Sequence, residues 1–452
     1  MRSHDELVEA ARKHVWLHFA HYDDIEKRPK IFVRGEGMYL WDDEGNKYLD
    51  TFASLLTTIC GHHRPEVHEA VQKQMEQLEF FPNYHDCYTI PSIELAEKLA
   101  EIMPGDLSVA FFTGGGSEAN ESAMKMARQY FWEQGQRSRT GILAKRFSYT
   151  GATMGTMSAT GIPWFWETFQ PRMPGYGFFN PEWYYHRELG LAEEQAGKIA
   201  LQDLEELVEF EGPESIAALI MDPVSGSNTG YWVPSAAFMQ GVRELCDKHG
   251  ILLIFDEIQV GFGKSGKWFC CEHWDVVPDI MTLGKGFSGG YLPLAAAVTT
   301  QKIAEVFRKP DAEFRHGFTF GGHTTACAAT LANIEIIERE NLVDRAAEMG
   351  TYLREKLEAL YKYPIVGHVR GIGLLLALEL LEDRKTWKKL EPEGEIGAWV
   401  RDRCYELGMI LRNNDDILVF APSLTITKDE VDYMVGLTEQ ALAEACEKFG
   451  KG

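Results

Sequence analysis

The chain has 452 residues, 45% of them hydrophobic and 25% charged, an ordinary balance for a soluble enzyme with a large core. Its formal net charge of −23 argues against nucleic acid or an anionic membrane as partner. The eight cysteines form no C-x-x-C pair, the N-terminus has no signal-like apolar core, and no run reaches about 18 apolar residues. A reducing cytoplasm is the expectation that fits those features best, and the length alone allows roughly two to four domains.

Residues 5–20 read as a short amphipathic helix. Residues 31–50 show two strand-like runs around the turn Asp43-Glu44-Gly45-Asn46, a hairpin signal. A helix is expected from Pro65 to about 79, a loop over 83–90, and a second helix from Pro91 that Pro104-Gly105 stops. The stretch SVAFFTGGGSEANESAMKMARQYF (108–131) reads as strand, glycine turn and helix. A strand follows near 141–145. Residues 161–200, rich in Trp, Phe, Tyr and Pro, read as an irregular excursion, followed by a helix over 201–211.

IAALIMDPV (216–224) and ILLIFDE (251–257) are short apolar runs of the kind found in fully buried strands. The second ends on Asp256-Glu257. A further apolar piece around Ile280-Met281 leads to Lys285, set between Gly284 and Gly286. A strand over 294–298, a helix near 301–308 and a glycine loop opening a long helix over 316–340 come next. A charged helix to about 361, strands over 366–380 in a second sheet, a helix near 394–407, the strands MILRN and ILVFAP and a last helix complete the chain. Alternating strands and helices through the middle imply a mostly parallel sheet covered on both faces. The expected fold class is therefore α/β, with a smaller α+β unit built from both chain ends. The boundaries expected are 1–64 and 326–452 for the smaller unit and 65–325 for the larger.

Three features carry chemistry. Gly114-Gly115-Gly116-Ser117 follows a strand and opens a helix, where unpaired N–H groups and the positive dipole end suit a phosphate. It is not a P-loop, and Gly263-Lys264-Ser265 lacks the upstream glycine that motif needs. Lys285, at a strand end between glycines, is placed in a crevice where partial burial makes a nucleophilic amine. Asp256 closes a buried run and needs a cation or hydrogen bonds. Phosphate cup, buried acid and crevice amine together match a phosphorylated pyridine aldehyde. His62-His63 and His68 lack metal-ligand spacing and no HExxH is present.

The motifs GSEAN (116–120), DEIQVGFGKSGKWF (256–269), PDIMTLGKGFSGGYLPLAA (278–296), HGFTFGGHTTACAA (316–329) and VRGIGLLLALEL (369–380) extend the match across nearly the whole chain. It resembles the class III, ω-type aminotransferases, pyridoxal-phosphate enzymes of fold type I. The resemblance implies that Lys285 forms the Schiff base with the cofactor and shuttles the proton, while Asp256 pairs with the pyridine nitrogen. It implies phosphate contacts from Gly116 and Ser117 beside Gly115, stacking by Tyr149, which precedes Thr150-Gly151, packing of Ile258 on the other ring face, and Gln259 near the ring hydroxyl. Thr319 resembles the threonine that reaches the phosphate of a neighbouring subunit, so a homodimer is implied, with pairing into tetramers left open. Arg412 aligns with the mobile arginine that binds a substrate carboxylate.

Several positions depart from the family pattern. Thr150 stands where His is usual, Asp222-Pro223-Val224 where Glu-Pro-Val is usual, and Gly115 where Ser is common. Leu56 stands where many amine:pyruvate members carry a pocket tryptophan, which reshapes the donor pocket. Ser227 replaces the glutamate of the ornithine and γ-aminobutyrate branches, which points to pyruvate rather than 2-oxoglutarate as acceptor. The expectation is a ping-pong transaminase moving an amino group from an amine or ω-amino acid to a keto acid. The alternatives are a racemase, epimerase, aminomutase or decarboxylating transaminase on the same fold, and a non-catalytic binding protein.

Overall fold

The computed structural model describes residues 2–21 and 29–451. In chain order its strands are β1 (Phe32–Glu36), β2 (Tyr39–Asp42), β3 (Lys47–Asp50), β4 (Leu107–Thr113), β5 (Gly141–Lys145), β6 (Tyr176–Phe179), β7 (Ile216–Met221) and β8 (Leu252–Asp256). They continue as β9 (Ile280–Leu283), β10 (Ala295–Thr300), β11 (Val366–Ile372), β12 (Leu375–Leu380), β13 (Met409–Ile410), β14 (Arg412–Asn414) and β15 (Ile417–Phe420).

The centre is a seven-stranded sheet in the order β4-β10-β9-β8-β7-β5-β6. The pairs β9–β8, β8–β7, β7–β5 and β5–β6 are parallel, and only β10 runs antiparallel to its neighbours β4 and β9. Every residue of β7, β8 and β9 is buried, as continuous apolar runs in a sheet covered on both faces must be. This is the doubly covered α/β architecture expected from the sequence. Among the described residues no helix is long and apolar enough to cross a membrane.

The two ends of the chain meet. β1, β2 and β3 form an antiparallel meander, and β13 adds to β3 in parallel, with Met409 opposite Leu49 and Ile410 opposite Asp50. A separate antiparallel sheet has the order β11-β12-β15-β14. The single second sheet expected from the sequence is thus two. The segment MILRN, read as one strand, divides at Leu411: Met409–Ile410 serves the N-terminal sheet and Arg412–Asn414 pairs with β15. Leu411 is buried at the junction, so one residue steers the chain from one sheet to the other.

The 161–200 excursion is also more regular than expected. It carries the edge strand β6, a helix at Glu182–Arg187 and the start of a long helix at Glu193–Glu211. β6 is only four residues long, and Gly175, at φ +87°, turns the chain into it. So short an aromatic strand has no period a sequence pattern could reveal.

Candidate active site

The crevice lies at the C-terminal ends of the parallel strands, where an open α/β sheet binds its ligands. β4 ends at Thr113, and the helix Gly116–Glu133 begins with Gly115 as its extended N-cap. The first-turn N–H groups have no partner within the helix. The Gly114 N–H donates to Glu118 Oε2 at 2.7 Å, which fixes the loop's entry. The Ser117 hydroxyl accepts from the Ala152 N–H at 3.0 Å and so ties this helix start to the 149–152 loop. Two glycines are required by the close approach. A Cβ on Gly116 would stand 2.9 Å from Ile258 Cδ1, and one on Gly151 would stand 2.8 Å from Ser117 Oγ.

β8 delivers Asp256, which is 9% exposed. Its carboxylate accepts from Asn120 Nδ2 at 2.7 Å and from the Ile258 N–H at 3.0 Å. Burial lifts its pKa against those hydrogen bonds and against the field of Lys285. β9 leads to Gly284 and then Lys285, which opens a short 3₁₀ turn with φ +48°, a left-handed conformation unusual for a side chain larger than glycine. Such a conformation costs on the order of 1–3 kcal/mol and is held only where the surroundings enforce it. Burial drives the Lys285 amine below its ordinary pKa; Asp256 opposes the shift and Arg412 adds to it.

Around this pair stand the other expected residues. Ile258 packs against the backbones of Gly116 and Gly284. Burial raises the Tyr149 phenol, Asp256 adds to the shift and a hydrogen bond with the Ser117 hydroxyl opposes it. Gln259 Oε1 accepts from the Ser227 N–H at 3.3 Å. Arg412, on β14, holds its guanidinium carbon 5.4 Å from the centre of the Phe52 ring, and its buried Nε has no hydrogen-bond partner. Leu56 is 2% exposed in a turn that packs on Lys285–Ser288.

The structure therefore brings Gly115, Gly116, Ser117, Tyr149, Gly151, Asp256, Ile258, Gln259, Lys285 and Arg412 to one crevice and packs the turn of Leu56 against it. Thr319 is the exception. It is exposed in a turn whose glycines approach Tyr84, Asn83 and Phe112, and among the described residues it makes no hydrogen bond to the others.

Two residues of the site carried no recognisable role in the sequence. Asn120 donates to both Asp256 and the Thr150 carbonyl, at 2.7 Å each, and accepts from the Thr282 hydroxyl at 2.7 Å. It lies inside the GSEAN motif, and a polar side chain on the buried face of that helix is the signal that could have singled it out. Asp222 accepts from Ser148 Oγ and pairs with Lys145 Nζ, both at 2.5 Å, and accepts from the Gly226 N–H at 2.9 Å. The shorter Asp in place of Glu still closes this loop.

The donor set suits a phosphorylated pyridine aldehyde. It has an anion-binding helix start, a buried acid for a ring nitrogen, two groups for the ring faces and a partly desolvated amine.

Comparisons with known proteins agree with this geometry. A family model for class-III aminotransferases matches residues 22–442. A taurine–pyruvate aminotransferase of Bilophila wadsworthia is 38% identical, the alignment spanning 98% of each chain. A putrescine–pyruvate aminotransferase of Pseudomonas aeruginosa is 33% identical over 96% of this chain and 94% of its own. The crystal structure of a thermostable (S)-enantioselective ω-transaminase from Thermomicrobium roseum superimposes with a TM-score of 0.95 at 40% identity, covering 98% of this chain and 99% of that one.

Proposed function

The chain belongs to the class-III aminotransferases, and from that premise we propose that it transfers an amino group from an amine or ω-amino acid to pyruvate. Its cofactor is pyridoxal phosphate. The observation that carries the residue assignments is the meeting of Asp256 and Lys285 at adjacent strand ends beside the glycine-opened helix.

When bound, pyridoxal phosphate supplies an aldehyde carbon that takes up the amine and a protonated ring that draws electron density from the amine-bearing carbon. Gly116, Ser117 and the first-turn N–H groups would hold the phosphate, with Gly115 and Gly151 leaving room for it. Tyr149 and Ile258 would flank the ring, Gln259 would stand near its hydroxyl, and Asp256 would keep the ring nitrogen protonated. Lys285 Nζ, kept toward its neutral form by burial, removes the proton from the amine-bearing carbon of the donor. In the second half-reaction it returns a proton to the carbon that becomes the amine-bearing carbon of the product. Donor and acceptor thus use one crevice in turn. Arg412 binds the acceptor carboxylate, and its unpartnered Nε is consistent with that role. Leu56, buried in the turn packed on Lys285–Ser288, shapes the donor side.

Two observations favour pyruvate. Ser227 brings no carboxylate to the loop facing Gln259, and two of the relatives are named for pyruvate. Thr319, exposed beside the exposed ring of Phe320, suits a contact with the cofactor phosphate of a second copy, making the protein a homodimer. A sedimentation mass of one chain would overturn the dimer.

The test is a panel of ω-amino acids, diamines, taurine and arylalkylamines, each with pyruvate or 2-oxoglutarate, scored by the alanine or glutamate formed. Alanine should dominate, and Lys285→Ala should lower turnover by roughly 10⁴-fold. An unaffected rate in that variant sinks the assignment of Lys285, and a strong preference for 2-oxoglutarate sinks the acceptor.

A further inference from the structure

We propose that Asp50 is a positioning residue that sets donor discrimination, its buried carboxylate holding the left-handed turn that carries Leu56 and packs on Lys285–Ser288. The inference rests on the reading of Leu56 as a determinant of the donor pocket.

Four successive residues, Ala53, Ser54, Leu55 and Leu56, have φ of +45°, +46°, +68° and +66°. Ser54 and Leu55 have ψ of 55° and 44°, full left-handed helical values. The turn closes as a helix does, with the Leu56 N–H on the Phe52 carbonyl and the Thr57 N–H on the Ala53 carbonyl, both at 2.8 Å. No glycine lies in FASLLTT (52–58) to relieve the contact between each Cβ and the following carbonyl. Local preference opposes this conformation at every one of the four positions, so something outside the turn must hold it.

Asp50 is the group in place to do so. It is 3% exposed at the end of β3, fixed by pairing with Ile410 and by its own N–H on the Met38 carbonyl at 2.8 Å. Its carboxylate accepts from the Phe52 N–H at 3.0 Å, the Ser54 N–H at 2.6 Å and the Ser54 hydroxyl at 2.9 Å. His62 Nε2 stands 3.6 Å from the same carboxylate and 3.3 Å from the Ser54 hydroxyl. That imidazole packs closely on Gly35, where a Cβ would stand only 2.8 Å from the ring. The turn in turn packs on Lys285–Ser288, and Phe52 at its start lies under Arg412. The carboxylate thus ties the end of β3 to the turn packed on Lys285–Ser288. No reacting atom touches Asp50, so it acts through Leu56.

The experiment compares holoenzyme of wild type, Asp50→Ala, Leu56→Ala and the double variant Asp50→Ala/Ser54→Gly. Hydrogen exchange over 52–58 reads the turn directly, and the ratio of kcat/KM for a bulky arylalkylamine to that for a small ω-amino acid reads the pocket. Asp50→Ala should speed exchange at Leu56 and Thr57 by about tenfold or more. It should also shift the donor ratio by about fivefold or more. Ser54→Gly, which accepts positive φ without strain, should return both to within about twofold of wild type. If Asp50→Ala yields no folded protein, Ser54→Ala removes one bond to the carboxylate and should move both readouts the same way by less. Unchanged exchange, or lost protection with an unchanged donor ratio while Leu56→Ala shifts that ratio, overturns the role of Asp50. A donor ratio untouched by Leu56→Ala overturns the reading of Leu56 as a donor-pocket determinant and this inference with it.

Discussion

A single carboxamide organises the acid side of the crevice. Asn120 satisfies Asp256, the Thr150 carbonyl and the Thr282 hydroxyl together. Replacing it with Ala leaves three buried polar groups short of a partner, at a cost of about 1–3 kcal/mol in urea denaturation. The same bond opposes the upward push of burial on Asp256, so Asn120→Ala should raise that pKa further. The expected outcome in a spectrophotometric titration is weaker pyridoxal-phosphate binding whose loss on acidification begins at a higher pH than in wild type. Unchanged affinity across pH 5–8 would count against this role. At this scale Asp256 and Lys285 were legible in the sequence, because each ends a short apolar run. Asn120 was not, because its value depends on which strand end the helix faces.

One strand end separates two acids. Asp256 and Glu257 are neighbours on β8 and its extension, so their side chains point to opposite sides. Asp256 faces the crevice; Glu257 accepts the N–H groups of Cys270 and Cys271 at 2.9 and 2.8 Å and closes the loop between them. Burial pushes the Glu257 pKa up to about 7 from the ordinary 4.5, against those two bonds. For an acid whose pKa rises on folding, the stabilising contribution is full below the ordinary pKa and is lost as pH climbs through the folded one. Between pH 5 and 8 the apoenzyme should therefore lose stability, by an amount on the order of 3 kcal/mol from this group. Glu257→Gln should be less stable at pH 5, having one acceptor fewer, yet show a flatter profile in urea unfolding at successive pH values. Parallel profiles would refute the account. The sequence showed the pair as a unit; only the loop's return to Cys270 assigns the second acid to structure rather than chemistry.

At the scale of the whole molecule, a buried ion triad joins the middle of the chain to its C-terminal sheet. Glu379, on β12, pairs with Arg187 at 2.6 Å and with Arg370 at 2.5 Å, and Arg370 also donates to the Thr229 carbonyl at 2.8 Å. Removing the shared carboxylate leaves two guanidinium groups buried together, so Glu379→Ala should cost roughly 3–5 kcal/mol. Thermal unfolding is the measurement, and a melting temperature unchanged from wild type would show the triad to be dispensable. The Thr229 contact places this triad beside the loop that carries Ser227, so the variant should also weaken acceptor binding through KM more than through kcat.

The sequence by itself determined the central sheet, the glycine-opened helix and the class of reaction, and it pointed to the acid and the amine. Each of these is written in a contiguous stretch, where an apolar run, a turn residue and a chemical group follow one another within a few positions. Tertiary structure alone decided the division of 409–414 between two sheets at Leu411, the exposure of Thr319, the service of Asn120 to Asp256, and the hold of Asp50 on a turn whose own residues oppose it. These depend on groups brought together from distant parts of the chain or on which side of a strand faces a neighbour. No local preference encodes such meetings, and in residues 53–56 local preference points the other way.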